Sequence, residues 1–130
     1  MIALDSSALV AIARKEAERE AFTRAIATNQ CLVGSPTVLE SHMVLLDRMG
    51  AEGVAVLDGL LAQPHILLVD FDGQLLPIAR TAFERYGKGR HPAALNFGDC
   101  MAYAVAKAHD VPLLFKGDDF RHTDLRAAVP

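Results

Sequence analysis

An α/β fold, a three-layer α/β/α sandwich around a short, mostly parallel sheet, is what this sequence predicts. Three observations carry that expectation. Short apolar runs alternate with longer stretches of helical periodicity, the βαβ pattern that places helices on both faces of a parallel sheet. The length of 130 residues fits one domain, residues 1–130, with no repeat, low-complexity tract or linker to divide it. Hydrophobic residues make up 52% of the chain and charged residues 22%, which excludes intrinsic disorder and supplies a core without disulfide staples.

The elements follow in order. Met1–Leu4 is an apolar run that stops at Asp5-Ser6-Ser7, three residues that all cap helices well. Helical material runs from Ala8 to about Thr28, bent near Arg14-Lys15, with Phe22 and Ile26 four apart on one face. Cys31–Val33 is a second strand. It leads into Ser35 as a cap and Pro36 at the first helical position, opening a helix to about Met49 that Gly50 ends. Leu39, Met43 and Leu46 are the expected inward stripe of that helix. A helix over Glu52–Ala62 stops before Pro64, Ile66–Val69 is the clearest strand, and Asp70–Gly73 turns into a helix over Gln74–Tyr86. Lys88–Asn96 reads as a basic loop, Phe97–His109 as the last long helix, and Val111–Phe115 as the final strand, followed by Lys116-Gly117-Asp118-Asp119 and a short polar tail.

Composition narrows the function classes. No apolar run approaches the ~20 residues of a membrane span, and Met1-Ile-Ala-Leu-Asp5 lacks the basic n-region of a signal peptide. Cys31 and Cys100 match neither a CxxC nor a zinc spacing and read as reduced thiols of a cytoplasmic protein. The net charge of −3 gives no global sign of nucleic-acid binding.

The acids are more informative. Asp5 follows the first strand, Asp118 and Asp119 follow the last, Glu40 lies early in the helix after the second strand, and Asp99 opens the last helix. Open parallel sheets bind ligands beyond the carboxyl ends of their strands, so all of these acids are expected at one edge. Two carboxylates about 6 Å apart repel by roughly 3 kcal/mol at an effective dielectric near 20, whereas a helix N-terminus offsets about 0.3–1 kcal/mol each. A cluster therefore holds protons or a divalent cation. Ligation by oxygen alone selects Mg²⁺ or Mn²⁺ rather than zinc, and the chemistry such an ion brings is phosphodiester hydrolysis. Each acid also has an ordinary reading. Asp5 and Asp99 suit helix first turns, Glu40 a mixed solvated face, and Asp118 and Asp119 a turn with Gly117.

Four motifs carry a family resemblance across nearly the whole chain: Ile2-Ala-Leu-Asp5-Ser-Ser-Ala-Leu9, Ser35-Pro-Thr-Val-Leu-Glu40, Tyr86 through Asp99, and Pro112 through Phe120 with Thr123-Asp-Leu125. Together they resemble a PIN domain, and in particular the VapC toxins of type II toxin–antitoxin systems. The resemblance implies a Mg²⁺-dependent endoribonuclease with an RNA substrate, for which Mn²⁺ substitutes, silenced by a cognate VapB-type antitoxin. A homodimer is implied as well, with DNA contacted only through the antitoxin. Residue by residue, Asp5 and Asp99 match direct metal ligands, and Glu40 matches an acid that holds a second metal or orients water. Many relatives place a fourth acid where Gly117 stands here, so that role passes to Asp118 first and Asp119 second. Ser7 matches a small hydroxyl beside the metal ligands.

Lys88, Arg90 and His91, and after the last acids Arg121 and His122, are candidate phosphate contacts or simply solvated basic residues. His42 and Cys100 read as packed residues. Two other function classes share parts of the pattern. A signalling receiver domain has the same layers and a lysine after the last strand, as Lys116 is here, but requires an acid pair after its first strand. A haloacid-dehalogenase-like phosphatase requires an acid where Ser7 stands. A non-catalytic binding module on the same fold is expected to have lost an acid, and this chain keeps Asp5, Glu40 and Asp99.

Overall fold

The computed structural model describes residues 1–130. Four strands, β1 (Ile2–Leu4), β2 (Cys31–Gly34), β3 (Ile66–Val69) and β4 (Leu113–Leu114), form one sheet in the order β3-β2-β1-β4. Every pairing is parallel, with Ala3 opposite both Leu32 and Leu113. Six α-helices accompany them: α1 (Ser6–Ala13), α2 (Arg19–Ala27), α3 (Ser35–Met49), α4 (Ala51–Leu61), α5 (Leu75–Tyr86) and α6 (Phe97–His109). A 3₁₀ turn over Asp119–His122 follows β4.

Alternation along the strands divides the core between the two faces of the sheet. Ala3, Leu32 and Leu113 join one buried cluster with Leu75, Ala79 and Tyr86 of α5 and Cys100 to Ala106 of α6. Ile2, Leu4, Cys31, Val33 and Leu114 join the other, with side chains of α1, α2, α3 and α4. This is the three-layer sandwich expected, on a fully parallel sheet. Both cysteines are buried and unpaired, and burial pushes each thiol up to about 11, so both stay protonated. No helix is long and apolar enough to cross a membrane.

Three local expectations are corrected. The stretch Ala8–Thr28 is two helices, because Arg14 closes α1 and Lys15 takes a left-handed φ of 56° that no helix continues through. Gly34, not Ser35, is the N-cap of α3, so Ser35 and Pro36 are its first two residues. The apolar stripe of α3 points the other way. Leu39, Met43 and Leu46 are 61%, 61% and 52% exposed, while Thr37, Ser41 and Leu45 are buried. The inner face of α3 packs closely on α1, α4 and α6, where small residues fit. The Ser41 hydroxyl satisfies itself there by donating to the Thr37 carbonyl at 2.7 Å.

The two edges of the sheet differ. Along β4 the tail lies alongside, with the Leu113 amide donating to the Arg126 carbonyl and the Ala128 amide to the Leu113 carbonyl, each at 2.9 Å. Asp124 anchors this tail on α6, accepting from the Tyr103 hydroxyl at 2.8 Å and from Lys107 Nζ at 2.7 Å. At the opposite edge, β3 presents Leu67 and Leu68 exposed.

Candidate active site

Asp5 stands where β1 ends and α1 begins, and it is 2% exposed. As the N-cap of α1 its Oδ2 accepts from the Ser7 amide at 3.1 Å and from the Ser7 hydroxyl at 2.6 Å. Its other oxygen, Oδ1, is buried with no hydrogen-bond partner. Burial pushes the Asp5 carboxyl up to about 7, against the two Ser7 hydrogen bonds that lower it, and the charges of Asp99 and Glu40 push it further up.

Asp99 is the third residue of α6 and half of a capping box with Asn96. The Asp99 amide donates to Asn96 Oδ1 at 2.9 Å, and the Asn96 amide donates to Asp99 Oδ2 at 3.0 Å. One carboxylate oxygen is thus held by the helix cap while Oδ1 is free of it. Desolvation raises the Asp99 carboxyl, helped by Asp119 and Glu40, against the Asn96 hydrogen bond. Glu40 reaches across from α3. Its Oε1 is also buried without a partner, and its carboxylate rests against Gly98, where an added Cβ would overlap it.

The fold therefore brings Asp5, Glu40 and Asp99 within mutual electrostatic reach from three separate segments, with Asp119 acting on Asp99. Asp118 is not among them. It lines a depression with Glu18, Lys116, Arg121 and Val129. Gly117, with φ of +98°, takes a conformation that an acidic side chain adopts only under strain. An acid reaching the cluster from this loop comes instead from the 3₁₀ turn, at Asp119.

Ser7 is the hinge of the arrangement. While its hydroxyl donates to Asp5, it accepts the Lys116 amide at 2.9 Å and so ties β4's exit to α1. The Lys116 side chain turns away, pairing with Glu16 at 2.8 Å and Glu18 at 3.4 Å. That removes the lysine a receiver domain needs in its acid pocket. Asp72, after the edge strand β3, is engaged in its turn, accepting from the Gln74 and Leu75 amides.

The basic candidates divide. His91 packs edge-on against Tyr86 and accepts the Ala93 amide on Nδ1, and Arg90 donates to the Glu84 carbonyl, so both are structural within their loop. Lys88 and His122 are exposed, and Arg121 lies over the Phe115 ring. His42 is half-buried on α3. Sequence reasoning missed Gly98, whose only signal was its place beside Asp99, and Asn96, readable as a cap three residues before an acid.

The residues present fit a hard divalent cation. Every donor is a carboxylate oxygen, and two of them, Asp5 Oδ1 and Glu40 Oε1, are buried and unpartnered. No three of these side chains converge into a closed ligand set. The principal depressions of the surface, the largest near 510 Å³ on α2, are lined by none of Asp5, Glu40, Asp99 or Asp119.

Comparison with known proteins finds relatives over nearly the whole chain. The family of PIN domains matches residues 2–125. Ribonuclease VapC of Mycolicibacterium smegmatis is 43% identical over 125 residues, covering 95% of this chain and 97% of the relative. Ribonuclease VapC30 of Mycobacterium tuberculosis is 42% identical, covering 94% of each. Among solved structures, Mycobacterium tuberculosis VapC20, a sarcin-ricin loop cleaving toxin, superposes with a TM-score of 0.82 over 100% of both chains at 16% identity. VapBC2 of Rickettsia felis, bound to a DNA fragment from its promoter, gives a TM-score of 0.71 at 19% identity, over 98% of this chain and 97% of the other.

Proposed function

The chain belongs to the PIN domain family, and from that premise we propose that it is the toxin of a type II toxin–antitoxin pair. Its activity is that of an endoribonuclease hydrolysing RNA phosphodiester bonds. The observation that carries this reading is the pair of buried, unpartnered oxygens, Asp5 Oδ1 and Glu40 Oε1, gathered beside Asp99 at one end of a parallel sheet. Asp5 and Asp99 each give one oxygen to a helix cap, but no cation pairs with the cluster to offset its buried charge.

Asp5 and Asp99 would hold Mg²⁺ or Mn²⁺ through the oxygens their caps leave free, with Glu40 and Asp119 on the flank. Bound there, the ion supplies a water of lowered pKa and neutralises charge developing on the phosphoryl oxygen. Ser7 and Asn96 fix the two ligating carboxylates by occupying the opposite oxygen of each. Glu40 stands where it can orient a water or accept its proton. Lys88, Arg121 and His122 are exposed side chains available to donate to RNA phosphates.

The partners follow from the same reading. A VapB-type antitoxin and a second copy of this chain would cover the exposed apolar side chains, among them Leu39, Met43 and Leu46 of α3, Leu76 and Phe83 of α5, and Phe97. DNA would be met only through the antitoxin. The domain spans residues 1–130 and works in the cytoplasm.

The test is cleavage of total cellular RNA by the chain purified free of any partner, in Mg²⁺ or Mn²⁺, beside EDTA and Asp99→Asn controls. Discrete products that vanish in both controls support the reading. RNA left intact with metal binding confirmed by calorimetry would favour a binding module on the same fold, and cleavage persisting in the variant would remove Asp99 from the site.

A further inference from the structure

The tightest approach in the acid cluster is between a side chain and a bare backbone. Gly98 is the second residue of α6, one before Asp99, and the Glu40 carboxylate from α3 lies directly over its Cα. A Cβ built on Gly98 would stand 2.6 Å from the Glu40 carboxyl carbon and 2.7 Å from Oε1, with Oε2 closer still. No side chain larger than hydrogen leaves that carboxylate where it is.

Gly98 is helical and has no need of glycine's backbone freedom, and alanine is the better helix former. The atoms a methyl group would meet are the far end of a flexible side chain, which moves at little cost to the fold. The glycine is therefore explained by the place of the Glu40 carboxylate and not by the stability of α6.

We propose that Gly98 is a positioning residue for the proposed hydrolysis. Its missing side chain seats the Glu40 carboxylate against the first turn of α6, where its charge acts on both Asp5 and Asp99. The positive end of the helix favours the charged carboxylate at that point, and the close seat fixes its distance from Asp99 one residue further on. This rests on the reading of Glu40 as part of the active site, and the experiment separates failure of one from failure of the other.

Gly98→Ala, Glu40→Ala and the double variant are compared with the parent chain. Thermal melting and the carboxyl ¹³C resonance of Glu40, identified by its loss in Glu40→Ala, are recorded without metal. Cleavage of a single RNA is then measured with kcat and KM separated. Gly98→Ala is expected to melt at an equal or higher temperature, to shift the Glu40 resonance, and to lower kcat roughly 100-fold, the scale of a displacement near 1 Å, with KM little changed. In the Glu40→Ala background it is expected to add no further loss.

Full activity in Gly98→Ala beside an inactive Glu40→Ala overturns the inference and leaves the reading of Glu40 standing. An undiminished effect of Gly98→Ala in the Glu40→Ala background, or a lowered melting temperature, also overturns it, since Gly98 then acts through something other than that carboxylate. Full activity in Glu40→Ala removes Glu40 from the site, and the role of Gly98 with it.

Discussion

The Ser7 hydroxyl donates to Asp5 Oδ2 at 2.6 Å while accepting the Lys116 amide at 2.9 Å, so one oxygen atom joins the first helix, the proposed metal ligand and the exit of the last strand. Its single proton is committed to Asp5, which leaves Asp5 Oδ1 as the free acceptor. Replacing Ser7 with alanine removes a bond to a buried carboxylate and unpartners an amide. The expected cost is about 1–3 kcal/mol in urea unfolding. The Asp5 carboxyl should also rise above its value of about 7, because that hydrogen bond lowers it. In metal-free protein the pH titration of the Asp5 carboxyl ¹³C resonance should therefore move to higher pH, and an unmoved titration would contradict the link.

Asp5 makes the metal-free protein sensitive to pH in a stated direction. Its carboxyl goes from an ordinary 3.8 in the unfolded chain to about 7 in the fold. Between those values the folded state binds more protons, so stability falls as pH rises through that window and levels off above it. The full difference is about 4 kcal/mol at 1.36 kcal/mol per pH unit. Asp5→Asn should thus gain stability over the parent at pH 8 and lose most of that gain at pH 4, while abolishing cleavage. Chemical denaturation in EDTA at the two pH values reads this out, and equal differences at both would refute the buried charge.

The loop after β4 offers two neighbouring aspartates, and only Asp119 acts on Asp99. Asp119→Asn should lower cleavage at least tenfold, a loss of about 1.4 kcal/mol of transition-state stabilisation. Asp118→Asn should stay within about twofold. Reversal of that order in kcat/KM would return the role to Asp118.

Leu45 and Leu46 are adjacent in α3 and opposite in fate, one fully buried and the other 52% exposed. Leu45→Ala should cost about 2–5 kcal/mol, and Leu46→Ala less than about 0.5 kcal/mol in a monomeric sample. Urea unfolding of both variants checks the orientation of the helix.

That pair also marks where sequence reasoning runs out. Periodicity showed that α3 carries an apolar stripe, and Leu39, Met43 and Leu46 form one, but an exposed stripe has the same spacing as one that faces the core. What decides burial is the neighbours' geometry. α3 packs closely on α1, α4 and α6, which the small Thr37 and Ser41 permit. The strand–helix order, by contrast, was legible because apolar runs ending in Asp5-Ser6-Ser7 or Ser35-Pro36 punctuate the chain. So were the positions of Asp5, Glu40 and Asp99 at the strand exits and the opening of α6. The bend near Arg14-Lys15 was legible as well, though not as the full break that the left-handed φ of Lys15 makes, whereas the departure of Lys116 toward Glu16 was not, since it depends on a contact made across the fold.

The sheet order places β1, the first strand made, between β2 and the last strand, β4. During synthesis Asp5 precedes Asp119 and Lys116, the partner of Ser7, by more than a hundred residues. At about 5–20 residues per second, the acid cluster stays unassembled for several seconds while its first member waits. The acids therefore come together only once the segment after β4 has been made and docked through Lys116 on Ser7.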